Sequence, residues 1–285
     1  MGYIGFHASI SGGVHNAIDE AIEKKAEAIQ IFTANQRMWT VKDISEEDIK
    51  LFSEKRKKSK LKSIVSHTSY LINLASGNKN ILDKSRKAFK DEIKRSSILK
   101  LDAIIFHPGS FTGITYEKGV KNIIDSLNMF MEFLSDDGPF LLLETTAGSG
   151  NTIGGKFEEL AEIIAGVKRK DKIGVCFDTA HTFEAGYDIK NSYEEVFKDF
   201  DRIIGIEKLK AMHINDSKTQ YKSKADRHEH IGKGEIGKDV FKKLMNDKRF
   251  ARIPMIIETP KVGNWDVINI NLLKKLRKKN DKDVR

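Results

Sequence analysis

His67, His107, Glu144, Asp178, His213 and Glu258 each stand at the end of a short apolar run: "SIVSHTS", "AIIFHPGS", "FLLLETT", "IGVCFDTAH", "LKAMHIND" and "PMIIETP". Every one of these side chains can ligate a metal ion, and the repetition asks for a common cause. Three more groups lie nearby in sequence. His181 follows Asp178 by three residues, and "KADRHEH" carries Asp226 and His228, spaced to point the same way in an extended segment. Taken singly, each reads as a satisfied strand-end histidine or a surface carboxylate. Together, four carboxylates and five imidazoles share one pocket only if cations neutralise their mutual repulsion.

Nine protein ligands exceed what one ion needs. A catalytic zinc takes about three protein ligands and keeps a position open, so nine groups imply two or three ions with a carboxylate bridging a pair. Imidazole mixed with carboxylate, without thiolate, favours Zn²⁺, admits Mn²⁺ or Fe²⁺ and disfavours Mg²⁺ and Ca²⁺, which prefer all-oxygen shells. Ions about 3.5–4 Å apart suit phosphoester hydrolysis.

Groups so far apart in sequence need a scaffold that gathers strand ends. Eight apolar runs, beginning with "YIGFHAS" and "AIQIFTA", alternate with eight segments whose apolar residues recur at three or four, such as "NILDKSRKAFKDEIKRSSILK" and "KFEELAEIIAGVKR". Runs that are continuously apolar are expected to be covered on both faces, as in parallel sheets. Eight such units in 285 residues imply an α/β fold, a (β/α)₈ TIM barrel, with the cluster at the C-terminal face of the strands. No Pro-rich or Gly/Ser-rich linker divides the chain, so residues 1–285 read as a single domain.

Composition narrows the setting. A hydrophobic content of 39% is ordinary for a globular core. The net charge of +9, from 50 Lys and Arg against 41 Asp and Glu, steers polyanions such as nucleic acid toward the surface. The runs "KRKKSKLK" (55–62) and the basic tail from about 274 to 285 nevertheless read as solvated surface. One cysteine, Cys176, excludes an internal disulfide framework and fits a reducing, cytoplasmic location; within its apolar run it reads as a buried, inert thiol. No run approaches the roughly 18 apolar residues of a membrane helix, and the start "MGYIGFHAS" lacks signal-peptide features. No membrane role is expected.

The motifs "GFHASISGG", "FTANQRMW", "SHTSYLINLAS", "FHPGS", "ETTAGSGNTIG", "VCFDTAHTFEAGYD", "MHINDSK", "DRHEHIGKGEIG" and "PMIIETP" occur in order from about residue 3 to about 260. Together they resemble the endonuclease IV family of apurinic/apyrimidinic (AP) endonucleases. The resemblance implies a TIM barrel with three zinc ions that hydrolyses duplex DNA on the 5′ side of an abasic site. The products are a 3′ hydroxyl and a 5′ deoxyribose phosphate, and blocked 3′ ends are a further substrate. It implies that His67 and His107 hold one ion, bridged by Glu144 to a second completed by Asp178, His213 and Glu258. His181, Asp226 and His228 would hold the third. Glu144 and Glu258 would be the catalytic carboxylates beside an ion-activated water.

By the same resemblance Gln36, Arg37, Tyr70 and Leu71 would enter the base stack at the lesion, where an abasic nucleotide is cheap to extrude because it has lost its pairing. Arg227, between two ligands, would contact a phosphate. The chain departs from the family pattern at Thr145, where members carry an amide beside Glu144. His230 is not expected to bind metal, and His7 is expected behind the ligands or facing DNA. A monomer is expected. The alternative is a metal-dependent sugar isomerase or epimerase of TIM-barrel type, which gives no reason for "ANQR", "TSYL" or "DRH".

Overall fold

The computed structural model describes residues 1–278, so the basic tail lies outside the described residues from 279 onward. The eight apolar runs form eight strands: β1 (Tyr3–His7), β2 (Ala28–Ile31), β3 (Ser63–His67), β4 (Ala103–Phe106), β5 (Phe140–Glu144), β6 (Ile173–Asp178), β7 (Leu209–His213) and β8 (Pro254–Ile257). Each pairs in parallel with its neighbour, and β8 pairs back with β1, closing the barrel.

Strand pleating sorts the apolar side chains into two layers. Ala28, Val65, Ala103, Ile105, Leu142, Cys176, Ala211 and Ile256 form a separate small cluster that fills the barrel. Their alternates, among them Ile29, Ile31, Ile64, Ile104, Leu141, Leu143 and Val175, join the large outer core beneath the helices. Both faces are therefore dry, which is why the runs are continuously apolar.

The surrounding helices are α1 (Asn16–Glu23), α2 (Glu46–Lys58), α3 (Lys79–Ile98), α4 (Tyr116–Met131), α5 (Phe157–Gly166), α6 (Thr179–Ala185), α7 (Tyr193–Ile203), α8 (Lys238–Asn246) and α9 (Trp265–Leu276). Ser45, Asn78 and Thr115 start α2, α3 and α4 by accepting from backbone N–H groups three residues on, each worth about 1 kcal/mol. α2 begins acidic and ends on Lys55–Lys58, complementing its dipole. Lys55 pairs with Asp19 and Arg56 with Asp102. The run "KRKKSKLK" is thus a helix end leading into the start of β3, at the opposite end of the barrel from the strand-end ligands.

Short elements are added to the eight units, among them two two-stranded sheets and one α-helix. α6 is an additional helix of seven residues between β6 and α7, too short to show a helical period in sequence. Asp178 caps it by accepting from the His181 N–H at 2.9 Å, and Gly186 ends it at φ 114°.

Candidate metal centre

The strand-end side chains converge on Glu144, which is 1% exposed. His67 Nε2 lies 3.0 Å and His107 Nε2 3.2 Å from Glu144 Oε2. On the other oxygen, His213 Nδ1 is 2.8 Å and His181 Nδ1 3.3 Å from Oε1. Asp178 Oδ2 stands 3.7 Å from His213 Nδ1 and 3.6 Å from His228 Nε2, while Glu258 Oε2 is 3.2 Å from His213 Nδ1. Three groups can each hold an ion: His67, His107 and Glu144; Glu144, Asp178, His213 and Glu258; and Asp178, His181 and His228. Glu144 joins the first to the second, and Asp178 joins the second to the third.

Asp226 departs from its expected setting. Its φ of 43° places it in the left-handed region, so the segment turns rather than running extended, and its side chain is 53% exposed. Its Oδ1 still comes within 3.1 Å of His181 Nε2 and 3.9 Å of His228 Nε2. The turn does what extended spacing was expected to do, from the rim of the site rather than from its floor.

The hydrogen bonds fix which ring nitrogens face inward. A carbonyl only accepts, so His67 Nδ1 donates to the Thr68 carbonyl at 2.8 Å, His181 Nδ1 to Thr145 at 2.9 Å and His228 Nδ1 to Glu258 at 3.2 Å. His213 is held instead through Nε2, 2.7 Å from Gln30 Oε1. Each ring so anchored presents its other nitrogen as a ligand, the arrangement typical of metal-binding histidines. The inward donors are nitrogen and carboxylate oxygen, a set suited to Zn²⁺, Mn²⁺ or Fe²⁺. Cys176 is not among them; it lies in the barrel interior, where burial pushes its thiol up to about 12.

The electrostatics ask for positive charge. Burial disfavours charged rings at His67, His181 and His213, yet neighbouring carboxylates at the first two, and Cys176 followed by Glu258 and Glu144 at the third, outweigh it and raise all three pKa values, the last two strongly. Burial likewise opposes ionisation of Glu144 and Glu258, but His213 leads the cationic neighbours that hold both well below the usual carboxylate range. A hydrogen bond from His181 holds Asp226 down at about 2. Protons on the rings and metal ions between them are alternative ways of meeting the same charge demand.

A supporting layer lies behind these groups. Thr145, where an amide was expected, uses Oγ1 to accept from the Asp178 N–H at 2.8 Å and its carbonyl to accept from His181. His7 Nδ1 lies 3.0 Å from Gln30 Nε2 and 3.6 Å from Glu258 Oε1. His230 stacks on Trp265 at 3.9 Å, a packing role. Gln30 is not among the candidates drawn from the sequence, although a lone glutamine in "AIQIF", two residues from inward-facing Ala28, was a usable signal.

The loops around the cleft carry the other candidates. Tyr70 is 69% exposed, with its ring 5.9 Å from Phe32 and 6.0 Å from His67. Ser69 Oγ donates to the Gln36 carbonyl at 2.6 Å, tying the loop of Tyr70 and Leu71 to that of Gln36 and Arg37. Arg37 and Arg227 are exposed, and Arg227 and Tyr70 line one cleft with His67, His107, His181 and Glu258.

Residues 18–279 match the family described as xylose isomerase-like TIM barrels. A protein named probable endonuclease 4 from Geotalea daltonii is 46% identical over 280 residues, covering 97% of this chain and 98% of that protein. The crystal structure of endonuclease IV from Thermus thermophilus superposes with a TM-score of 0.86 at 32% identity, covering 96% of this chain and 98% of that one. A D-tagatose 3-epimerase-like protein superposes with a TM-score of 0.74 at 22% identity, covering 96% of each chain, a likeness of fold alone.

Proposed function

Because the chain belongs to the endonuclease IV family of AP endonucleases, within the xylose isomerase-like TIM barrels, we propose that it is a DNA-repair hydrolase that cuts the phosphodiester on the 5′ side of abasic sites. The products are a 3′ hydroxyl and a 5′ deoxyribose phosphate, and the same centre cleans blocked 3′ ends. The observation that carries the reading is the set of three adjoining His and carboxylate groups, linked by Glu144 and Asp178. A sugar isomerase or epimerase site would need fewer ligands.

Three zinc ions would occupy these groups. His67, His107 and Glu144 would hold one; Glu144, Asp178, His213 and Glu258 a second; His181, His228 and Asp226 the third. Bound there, they supply Lewis-acid polarisation of the phosphate and charge to offset the developing oxyanions. Glu144 and Glu258, kept ionised, orient the attacking water and accept its proton. Arg227 binds a phosphate, while Gln36, Arg37, Tyr70 and Leu71 enter the base stack and fill the gap left by the missing base. A monomer suffices, acting in the cytoplasm where duplex DNA is accessible.

The test is a duplex bearing one tetrahydrofuran abasic analogue, which cannot undergo β-elimination. A metal-dependent single nick on its 5′ side is the expected result. An intact strand from folded, zinc-loaded protein would reject the reading.

A further inference from the structure

We propose that Gln30 is the positioning residue that sets the ring tautomer of His213 and thereby the zinc affinity of the group formed by Glu144, Asp178, His213 and Glu258. The inference rests on the metal reading above and adds to it a residue outside the ligand set. Gln30 is fully buried at the upper end of β2, and its register partner across the strand pair is His7.

The amide orientation follows from its neighbours. A metal-ligating carboxylate only accepts, so the Gln30 atom 2.6 Å from Glu258 Oε1 is the NH₂ group. The second hydrogen of that group points to His7 Nδ1 at 3.0 Å. The remaining atom, Oε1, only accepts, and it sits 2.7 Å from His213 Nε2. Nε2 therefore carries the hydrogen, and Nδ1 is the nitrogen left to face Glu144 and Glu258.

His213 differs in its anchor from His67, His181 and His228. His67, His181 and His228 are fixed by backbone carbonyls, which no substitution removes. His213 is fixed by a side chain, which also holds Glu258, a second member of the same group. One residue thus orients two ligands at once. The same contact makes His7 an Nδ1 acceptor and leaves its Nε2–H as a buried donor without a protein partner at the cleft.

The test compares wild type with Gln30→Met, which keeps the volume but loses the hydrogen bonds, using Zn²⁺ as the probe. Zinc content and competition against a chromogenic chelator are measured on both. Wild type is expected to bind three ions. In the variant, one is expected to bind about 10- to 100-fold more weakly while the other two are unchanged, the usual effect of losing a partner behind a ligand. Equal affinities in the two proteins would overturn the proposal. Histidine ¹⁵N shifts on wild type give a readout independent of whether the variant folds. On the zinc-loaded protein a protonated Nε2 with a bare Nδ1 is expected for His213, and the reverse tautomer would equally overturn it. Wild type that takes up no zinc would refute the metal reading instead, and the same shifts recorded at alkaline pH, on the neutral ring, would still decide for or against Gln30.

Discussion

Glu258 holds one oxygen against Gln30 and the other toward His213, so Glu258→Gln changes charge while keeping shape. Incision of the abasic duplex is expected to fall at least about 100-fold, with an unchanged circular dichroism spectrum. A wild-type rate would remove Glu258 from the mechanism. Proton competition gives a second prediction. Neighbouring carboxylates raise the pKa values of His67 and His181 above 6.5, and Cys176 with Glu258 and Glu144 does so at His213, so protons begin to compete with zinc above that pH. Zinc affinity is therefore expected to fall as pH drops toward 6.5 and below, and competition titrations giving one constant through that approach would contradict it. The convergence of the strand-end side chains was legible in sequence because strand ends in a parallel barrel share one face. Gln30 left only the signal of a lone polar residue in an apolar run, which marks an inward position but not a partner, and the partner geometry alone reveals its role.

At the scale of elements, the turn after β7 is the least secured by periodicity and the most dependent on one side chain. Asp216 is fully buried and accepts from the backbone N–H groups of Ser217, Gly232, Gly234, Ile236 and Gly237. Its carboxylate folds the segment that carries Asp226 and His228. A Cβ at Gly234 would sit 2.2 Å from the Ser217 carbonyl and 2.7 Å from Asp216 Oδ1, so only glycine fits there. Asp216→Ala strands several donors and is expected to cost at least about 2 kcal/mol, to raise hydrogen exchange across 217–237 and to release the ion assigned to His181 and His228. Unchanged exchange and full zinc content would show that the loop holds itself. The loops of Arg37 and Tyr70 make a different prediction. Tyr70→Ala is expected to weaken binding of the abasic duplex by about 1–3 kcal/mol while retaining zinc, read by fluorescence anisotropy. Strands and long helices are legible by their period, but α6 and the turned conformation at Asp226 depend on caps and local backbone that no period encodes.

Over the whole molecule, the barrel must bring chain regions hundreds of residues apart into register, and one ion pair does so at the end away from the site. Arg277, just past α9, donates to Glu27 Oε1 at 2.8 Å and Oε2 at 2.6 Å, and also to the Gly2 carbonyl. Glu27 Oε2 accepts in addition from the Ile4 N–H at 2.9 Å. The last helix, β1 and the lead into β2 are thereby tied together across the closing seam of β8 and β1. Burial opposes ionisation of Glu27, but the Arg277 and Ile4 hydrogen bonds prevail and lower its pKa from 4.5. A depressed folded pKa means the unfolded chain takes up its proton first as pH falls. The stabilisation is therefore complete above about pH 5 and is lost below 4.5 as pH drops through the folded value. Glu27→Gln is expected to cost about 1–2 kcal/mol at pH 7, discounted for the exposed part of the pair, and to lower Tm by a few degrees. Because the pair is remote from the strand-end ligands, zinc content and incision at room temperature are expected to be unchanged. The difference in Tm between Glu27→Gln and wild type should shrink as both are melted at successively lower pH, whereas a constant difference from about pH 7 to about pH 3.5 would show that the carboxylate's charge does not close the barrel.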